Sequence, residues 1–167
     1  MGIQYIMRYL SYYLNTQSAN GQSKPYNKAN LANCSYIVSW ESLFRNARQL
    51  LEKKDVKCRL RVQFISQQNT SITHANNVGT IRLNLGTSSQ NTNFGTIVAF
   101  TKPVVSATTA GNFYLEADTT STPGIEINVP VDVTDFSVRL YNSAETLQTN
   151  VPEYEMILHF EIEDEAV

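Results

Sequence analysis

The chain has 167 residues and a net charge of −2, with 42% hydrophobic and only 17% charged residues. That length suits one domain of ordinary size with enough surface to bury. The spread-out charge offers no basic N-terminal arm to neutralise a phosphate backbone, which argues against nucleic-acid packaging. The polar remainder is mostly Asn, Thr, Ser and Gln, residues that compete for backbone hydrogen bonds and so favour turns over helix interiors. The composition points to an all-β fold with many loops.

In chain order, residues 3–14, IQYIMRYLSYYL, come first. They fit a helical stripe through Ile3, Ile6, Met7, Leu10 and Leu14, but Tyr5, Tyr9, Tyr12 and Tyr13 favour a strand. The segment contains Arg8, lacks a small-residue cleavage site and is too short to span a bilayer, so it reads as neither secretory signal nor transmembrane segment. The polar stretch 15–33 either joins the domain or reaches to another subunit as an extended arm. In CSYIVSW, Cys34, Tyr36, Val38 and Trp40 fall on one strand face. Residues 41–52, ESLFRNARQLLE, have helix-forming composition and suit one short helix. KCRLRVQFIS then sets Cys58, Leu60, Val62 and Phe64 against Lys57, Arg59, Arg61 and Gln63.

Further strands are predicted over 78–85, 94–101, 112–117, 124–129 and 135–141, separated by turn-rich segments such as GTSSQNTN and DTTSTPG. The last, EYEMILHFEIE at 153–163, is the most regular. Tyr154, Met156, Leu158, Phe160 and Ile162 point one way; Glu153, Glu155, His159, Glu161 and Glu163 point the other, with Ile157 the exception. Eight or nine short strands joined by connections of unequal length predict an antiparallel β-sandwich or barrel. The closing strand reads as a member of that sandwich, its acidic face turned to solvent or a neighbour.

Residues able to do chemistry are sparse. The two histidines, His74 and His159, have no Cys, Asp or Glu at a metal-ligand spacing. Asp132 and Asp135 could form an acid–base pair, but PVDVTDF reads more simply as a turn entering a strand. No nucleophile elbow, P-loop or dinucleotide-binding glycine pattern occurs. Cys34 and Cys58 both fall on apolar strand faces, which favours reduced, buried thiols over a bridge. Asn33-Cys34-Ser35 and Asn69-Thr70-Ser71 match the glycosylation pattern, a triplet that arises by chance in a sequence this rich in Asn, Ser and Thr. No catalytic, cofactor-binding or metal-binding residue is nominated, and no enzyme or cofactor is expected.

RYLSYYLNTQSANGQS followed by CSYIVSWESLF, then KCRLRVQFIS, NVGTIRLNLG and FSVRLYNSAETLQTNVPEYEMILHFE, resembles the minor capsid proteins of large icosahedral double-stranded DNA viruses. In that family a first strand leads through a Ser-Ala-Asn-rich loop to a second ending near a Trp. Its closing hairpin carries the Pro-x-Tyr-x-x-x-Leu-x-Phe pattern seen at Pro152, Tyr154, Leu158 and Phe160. The resemblance covers most of the chain, although RNARQLLEKKDV is an unusual insert. It implies a single jelly roll over 1–167 and a structural virion protein, made in the host cytoplasm and built into the capsid. Its partners would be the major and other minor capsid proteins, as a homo- or hetero-oligomer, with no direct nucleic-acid contact. Loops 66–77, 86–93 and 142–150 would be the contact surfaces. A different reading is a non-catalytic carbohydrate-binding or fibre-head module on the same sandwich, drawing on the tyrosines and Trp40. An enzyme would need a pocket joining His74 or His159 to carboxylates.

Overall fold

The computed structural model describes residues 5–16, 31–37, 56–69, 79–85, 96–105, 112–129, 135–141, 146–147 and 153–165. These form nine strands: β1 (Tyr5–Asn15), β2 (Asn33–Ile37), β3 (Val56–Asn69), β4 (Gly79–Leu85), β5 (Thr96–Val105), β6 (Asn112–Asp118), β7 (Ile125–Val129), β8 (Asp135–Tyr141) and β9 (Glu153–Glu165). The all-β expectation holds, and the tyrosine-rich N-terminal segment is a strand. The helix expected over 41–52 lies outside the described residues, as do Trp40, His74 and Asp132.

All pairings are antiparallel, in the order β1-β9-β3-β6-β5-β4-β8-β2, with β7 also on β3. The closing strand is an interior member of this sheet. β9 lies between β1 and β3, with Tyr12 and Val62 both opposite Leu158. Its five apolar side chains, Tyr154, Met156, Leu158, Phe160 and Ile162, are all buried, as alternation requires of a strand with one face on a core. β3 does the same with Cys58, Leu60, Val62 and Phe64. Both cysteines are free and buried, and burial pushes the Cys58 thiol up to about 12.

One edge of β3 is shared. Residues 56–60 pair with β7 and 63–69 with β6. The three steps from Leu60 to Gln63 face seven from Asp118 to Ile125, so TTSTPG loops out of what is otherwise one long strand. The loop is pinned to β3: Thr119 Oγ1 accepts from Val62 N at 2.8 Å, and Arg61 Nε donates to Thr122 O at 2.8 Å. Thr120 donates to Asp118 Oδ1 through both its amide and its hydroxyl, which holds that carboxyl below its usual range. Gly124 closes the loop at a φ of +83°, a conformation that suits glycine.

β5 turns the corner between the two halves of the sheet. Its residues 96–101 pair with β4 and 102–105 with β6. Pro103 falls in the second stretch, where only β6 pairs with it and a strand tolerates the missing N–H. A register shift between Ile81 and Arg82 adds the local bend.

The sheet curls so that its halves touch through the core. Tyr36 Oη, on β2, donates to Tyr154 Oη, on β9, at 2.8 Å. Tyr12, on β1, lies edge-on to both Phe136 of β8 and Phe160 of β9, with ring centroids 6.5 and 6.1 Å away. Burial raises both phenols of the Tyr36–Tyr154 pair, so the pair is neutral, and each hydroxyl escapes the cost of being buried alone.

Candidate interaction surfaces

The outer face of the β1–β9–β3 half carries the acidic side of the closing strand. His159 sits in its centre, bridging two neighbours: Nδ1 is 2.8 Å from Ser11 Oγ, and Nε2 is 2.9 Å from Gln63 Oε1. The amide oxygen can only accept, so Nε2–H donates to it; in the neutral imidazole Nδ1 then accepts from the serine hydroxyl, whereas a charged ring would donate there too. By distance this is a nucleophile–base pair. Gln63 stands where a carboxylate would be needed to support the charge formed on proton transfer, so the arrangement is that of a structural bridge across three strands.

Beside it, Arg61 pairs with Glu161 at 2.7 Å, both side chains largely covered. Arg59 reaches Glu126 only at 3.7 Å and both are open to solvent, a pair of little energetic weight. Toward β6 the face sinks into an open depression of about 480 Å³. Tyr13, Ile65 and Ile157 line it together with Glu155, Glu116, Asp118 and Lys102; Lys102 and Glu116 are 2.9 Å apart. Ile157, the exception in the closing strand's polar set, therefore serves an apolar patch outside the core.

The tyrosines divide by strand parity. Tyr9 and Tyr13 share the outer face of β1, and Tyr9 is 72% exposed; Tyr12 faces inward to Phe136 and Phe160. Of the loops expected to make contacts, residues 66–69 belong to β3, with Ser66 buried and donating to Glu153 O at 2.6 Å. Leu147, in the third loop, bridges back to Tyr141. Apart from the exposed Thr146, the rest of those loops lies outside the described residues.

The outer face of the β5–β4–β8–β2 half differs. β4 is buried along almost its whole length on both faces, and β8 nearly so. Its outward row is nonetheless polar: Thr80, Arg82 and Asn84 on β4, and Asp135, Ser137 and Arg139 on β8. Asp135 thus opens a strand; the turn expected before it lies outside the described residues. Arg82 stands directly opposite Arg139, and Asn84 opposite Ser137. Arg82 lies over the Tyr141 ring, 4.4 Å from its centroid, and its Nε donates to Thr80 Oγ1 at 3.1 Å. The sequence carries this row openly, as polar residues at every second position of TIRLN and DFSVR. What it lacks is any sign that the polar row is covered.

Among the described residues, no group of three or more His, Cys, Asp or Glu side chains is placed to hold a metal ion. No helix among them is long and apolar enough to cross a membrane. Neither a protein-family model nor a curated protein sequence matches the chain.

Proposed function

We propose that this chain is a structural subunit of a virus particle, a minor capsid or cement protein on a single jelly-roll sandwich. The observation that carries the reading is the strand order. With β6 and β7 taken as one interrupted strand, the halves are β1-β9-β3-β6/7 and β5-β4-β8-β2. The chain crosses from one half to the other between β1 and β2, β2 and β3, β3 and β4, β5 and β6, β7 and β8, and β8 and β9, and strands adjacent in one half (β1 and β9) connect to strands adjacent in the other (β2 and β8). This order agrees with that of two Greek keys wound into an eight-stranded jelly roll, an architecture found in viral capsid and lectin domains, and so supports the reading. The Tyr36–Tyr154 and Tyr12–Phe136 contacts between the halves support the sandwich. The sequence resemblance supplies the capsid context.

In this role the domain is non-catalytic. The exposed outer face of β1, β9 and β3 and the polar loops would meet the major and other minor capsid proteins, where uncharged amides and hydroxyls form wet contacts without desolvating charge. The test is to isolate the intact assembly in which the chain occurs, wash it with salt and quantify this polypeptide beside the coat protein by mass spectrometry. Recovery at a fixed ratio is the expected result. Release as free monomer would remove the capsid reading.

One observation favours a carbohydrate-binding module instead. Tyr9 and Tyr13 line one open face of an edge strand, about 13 Å apart at strand spacing, as a platform for sugar rings would need. Retention on a glycan array, lost in Tyr9→Ala, would establish that reading over the capsid one.

A further inference from the structure

The strand order ends on β1, and among the described residues β1 pairs with β9 alone. Thr16 N donates to Tyr154 O. The ladder keeps that register along the strand, so Leu14, Tyr12, Leu10 and Arg8 turn their backbone groups to β9. Met7, Tyr9, Ser11 and Tyr13 therefore turn theirs the other way, to the edge. A long edge of this kind invites another strand, and folded chains blunt it with proline, lysine, a bulge or shortness. β1 has no proline and no lysine, its one charge is Arg8, and all eleven residues pair with β9 without a register shift. β2, at the other end of the order, runs for five residues, Asn33–Ile37. The side chains flanking the edge of β1 are open. Met7 and Tyr9 are 42% and 72% exposed, and Ser11 is exposed too. On the inner row Leu10 and Tyr12 are only half-buried, where Met156, Leu158 and Phe160 of β9 are fully covered.

An incoming strand needs apolar side chains on both faces, to cover Leu10 and Tyr12 within and to lie beside Met7 and Tyr9 outside. It should not be acidic, because β9, next to the edge strand, carries Glu153, Glu155, Glu161 and Glu163 on its outer face. β1 itself meets each demand, with apolar residues on both faces and no carboxylate. Antiparallel pairing about Leu10 also satisfies the backbone. It sets the outward groups of Tyr9 against those of Ser11 in a second copy, and Met7 against Tyr13, with Leu10 facing Leu10. Each Arg8 then falls opposite Tyr12 of the other copy, and the two arginines stand four residues apart, about 13 Å along the strand. In-register parallel pairing would set them side by side, where like charges repel. We propose that β1 pairs with β1 of a second copy, antiparallel and centred on Leu10. The product is a two-fold dimer in which β3-β9-β1 runs on into β1-β9-β3 of the partner. The inference rests on this edge and not on the capsid reading.

The test uses the whole chain in analytical ultracentrifugation over a range of concentrations. The wild type is expected to sediment as a dimer that dissociates on dilution. Tyr9→Pro removes an N–H that faces the edge and leaves the ladder to β9 in place. It is expected to weaken the dimer about tenfold or more, since the two-fold axis deletes the bond twice. Should the proline unfold the chain, a cysteine pair decides. Chains carrying Tyr9→Cys, mixed with chains carrying Ser11→Cys and oxidised mildly, are expected to form a mixed disulfide, because the two positions face each other within its reach. Cys34 and Cys58, both buried, stay out of the reaction. The proposal is overturned if the wild type is monomeric at every concentration, which would give the edge to another segment of this chain or to a different partner. It is equally overturned if the mixture cross-links no faster than either variant alone, or if folded Tyr9→Pro dimerises as the wild type does.

Discussion

The two halves of the sheet share one core but treat their outer faces in opposite ways. On β1, β9 and β3 the outer residues are charged or amphipathic and reach water: Glu153, Glu155 and Glu163 are exposed, and His159 bridges its neighbours at the surface. On β4 and β8 the outer residues are polar as well, yet Arg82, Asn84, Asp135 and Ser137 are buried. The difference teaches that hydropathy alternation assigns the inner face of a strand and leaves open whether the other face is covered. Cover changes the energetics. An exposed ion pair such as Arg59–Glu126 is worth at most about 1 kcal/mol, whereas a charge withdrawn from water costs several unless it is paired. The first half therefore has a face whose charges largely keep their water, and the second has one where every donor must find a partner.

The sharpest way to break this comparison is through the core the halves share. Phe160→Ala in the first half and Phe136→Ala in the second should each cost about 3–5 kcal/mol in urea unfolding, because both rings pack on Tyr12. A single transition is expected in each variant. Two separate transitions would mean that the halves fold as independent layers.

Outer-face substitutions come next. Ser137→Lys on β8 adds a charge to a covered face beside two arginines and should cost about 2 kcal/mol or more. Glu163→Gln, on the open face of β9, should stay within about 0.5 kcal/mol. Equal, small effects on chemical denaturation would show the second face to be as open as the first. Gly124→Ala should cost about 1–2 kcal/mol, since the residue has a positive φ and a Cβ there would come within 3.0 Å of Leu60 O. A variant as stable as the wild type would mean the 119–124 loop is not held as described.

The smallest effect is on pH. Burial lifts the Cys58 thiol from its usual 9.0 to about 12, so the fold holds it neutral while the unfolded chain ionises above pH 9. Its contribution is complete below pH 9 and drains away as pH rises toward 12. Between pH 8 and 10 the wild type should lose about 1 kcal/mol more than Cys58→Ala, read from melting curves at the two values. Parallel losses in both proteins would show that Cys58 is in contact with water.

The sequence made the strands legible where one face is oily and the other wet. Cys58, Leu60, Val62 and Phe64, and the five apolar positions of 154–162, declared their inner faces by period alone. Tyr5–Asn15 carried two competing periods, and β propensity chose correctly. VGTIRLNL and DFSVRLY were readable as strands, but the cover over Arg82 and Ser137 depends on what lies above them, which no local pattern records. Nor could spacing show that 112–117 and 124–129 line up on one edge of β3, because that alignment is a matter of pairing with a strand far away in sequence, with Arg61 and Thr119 pinning the loop between them. Of the surfaces, the acidic face of the last strand was legible. The Arg82–Arg139 juxtaposition was not, since it is a matter of register between strands far apart in sequence.

The pairing of β1 with β9 also has a consequence in time. Ser11 and His159, which meet across that ladder, are 148 residues apart. A ribosome adding about 5–20 residues per second makes β9 on the order of ten seconds after β1. Throughout that interval the inward side chains of β1 have no β9 to pack against, and its backbone is an open template for strand pairing. Pairing between nascent copies therefore competes with folding until synthesis reaches β9, and a holding chaperone supplied during expression is expected to raise the yield of folded chain.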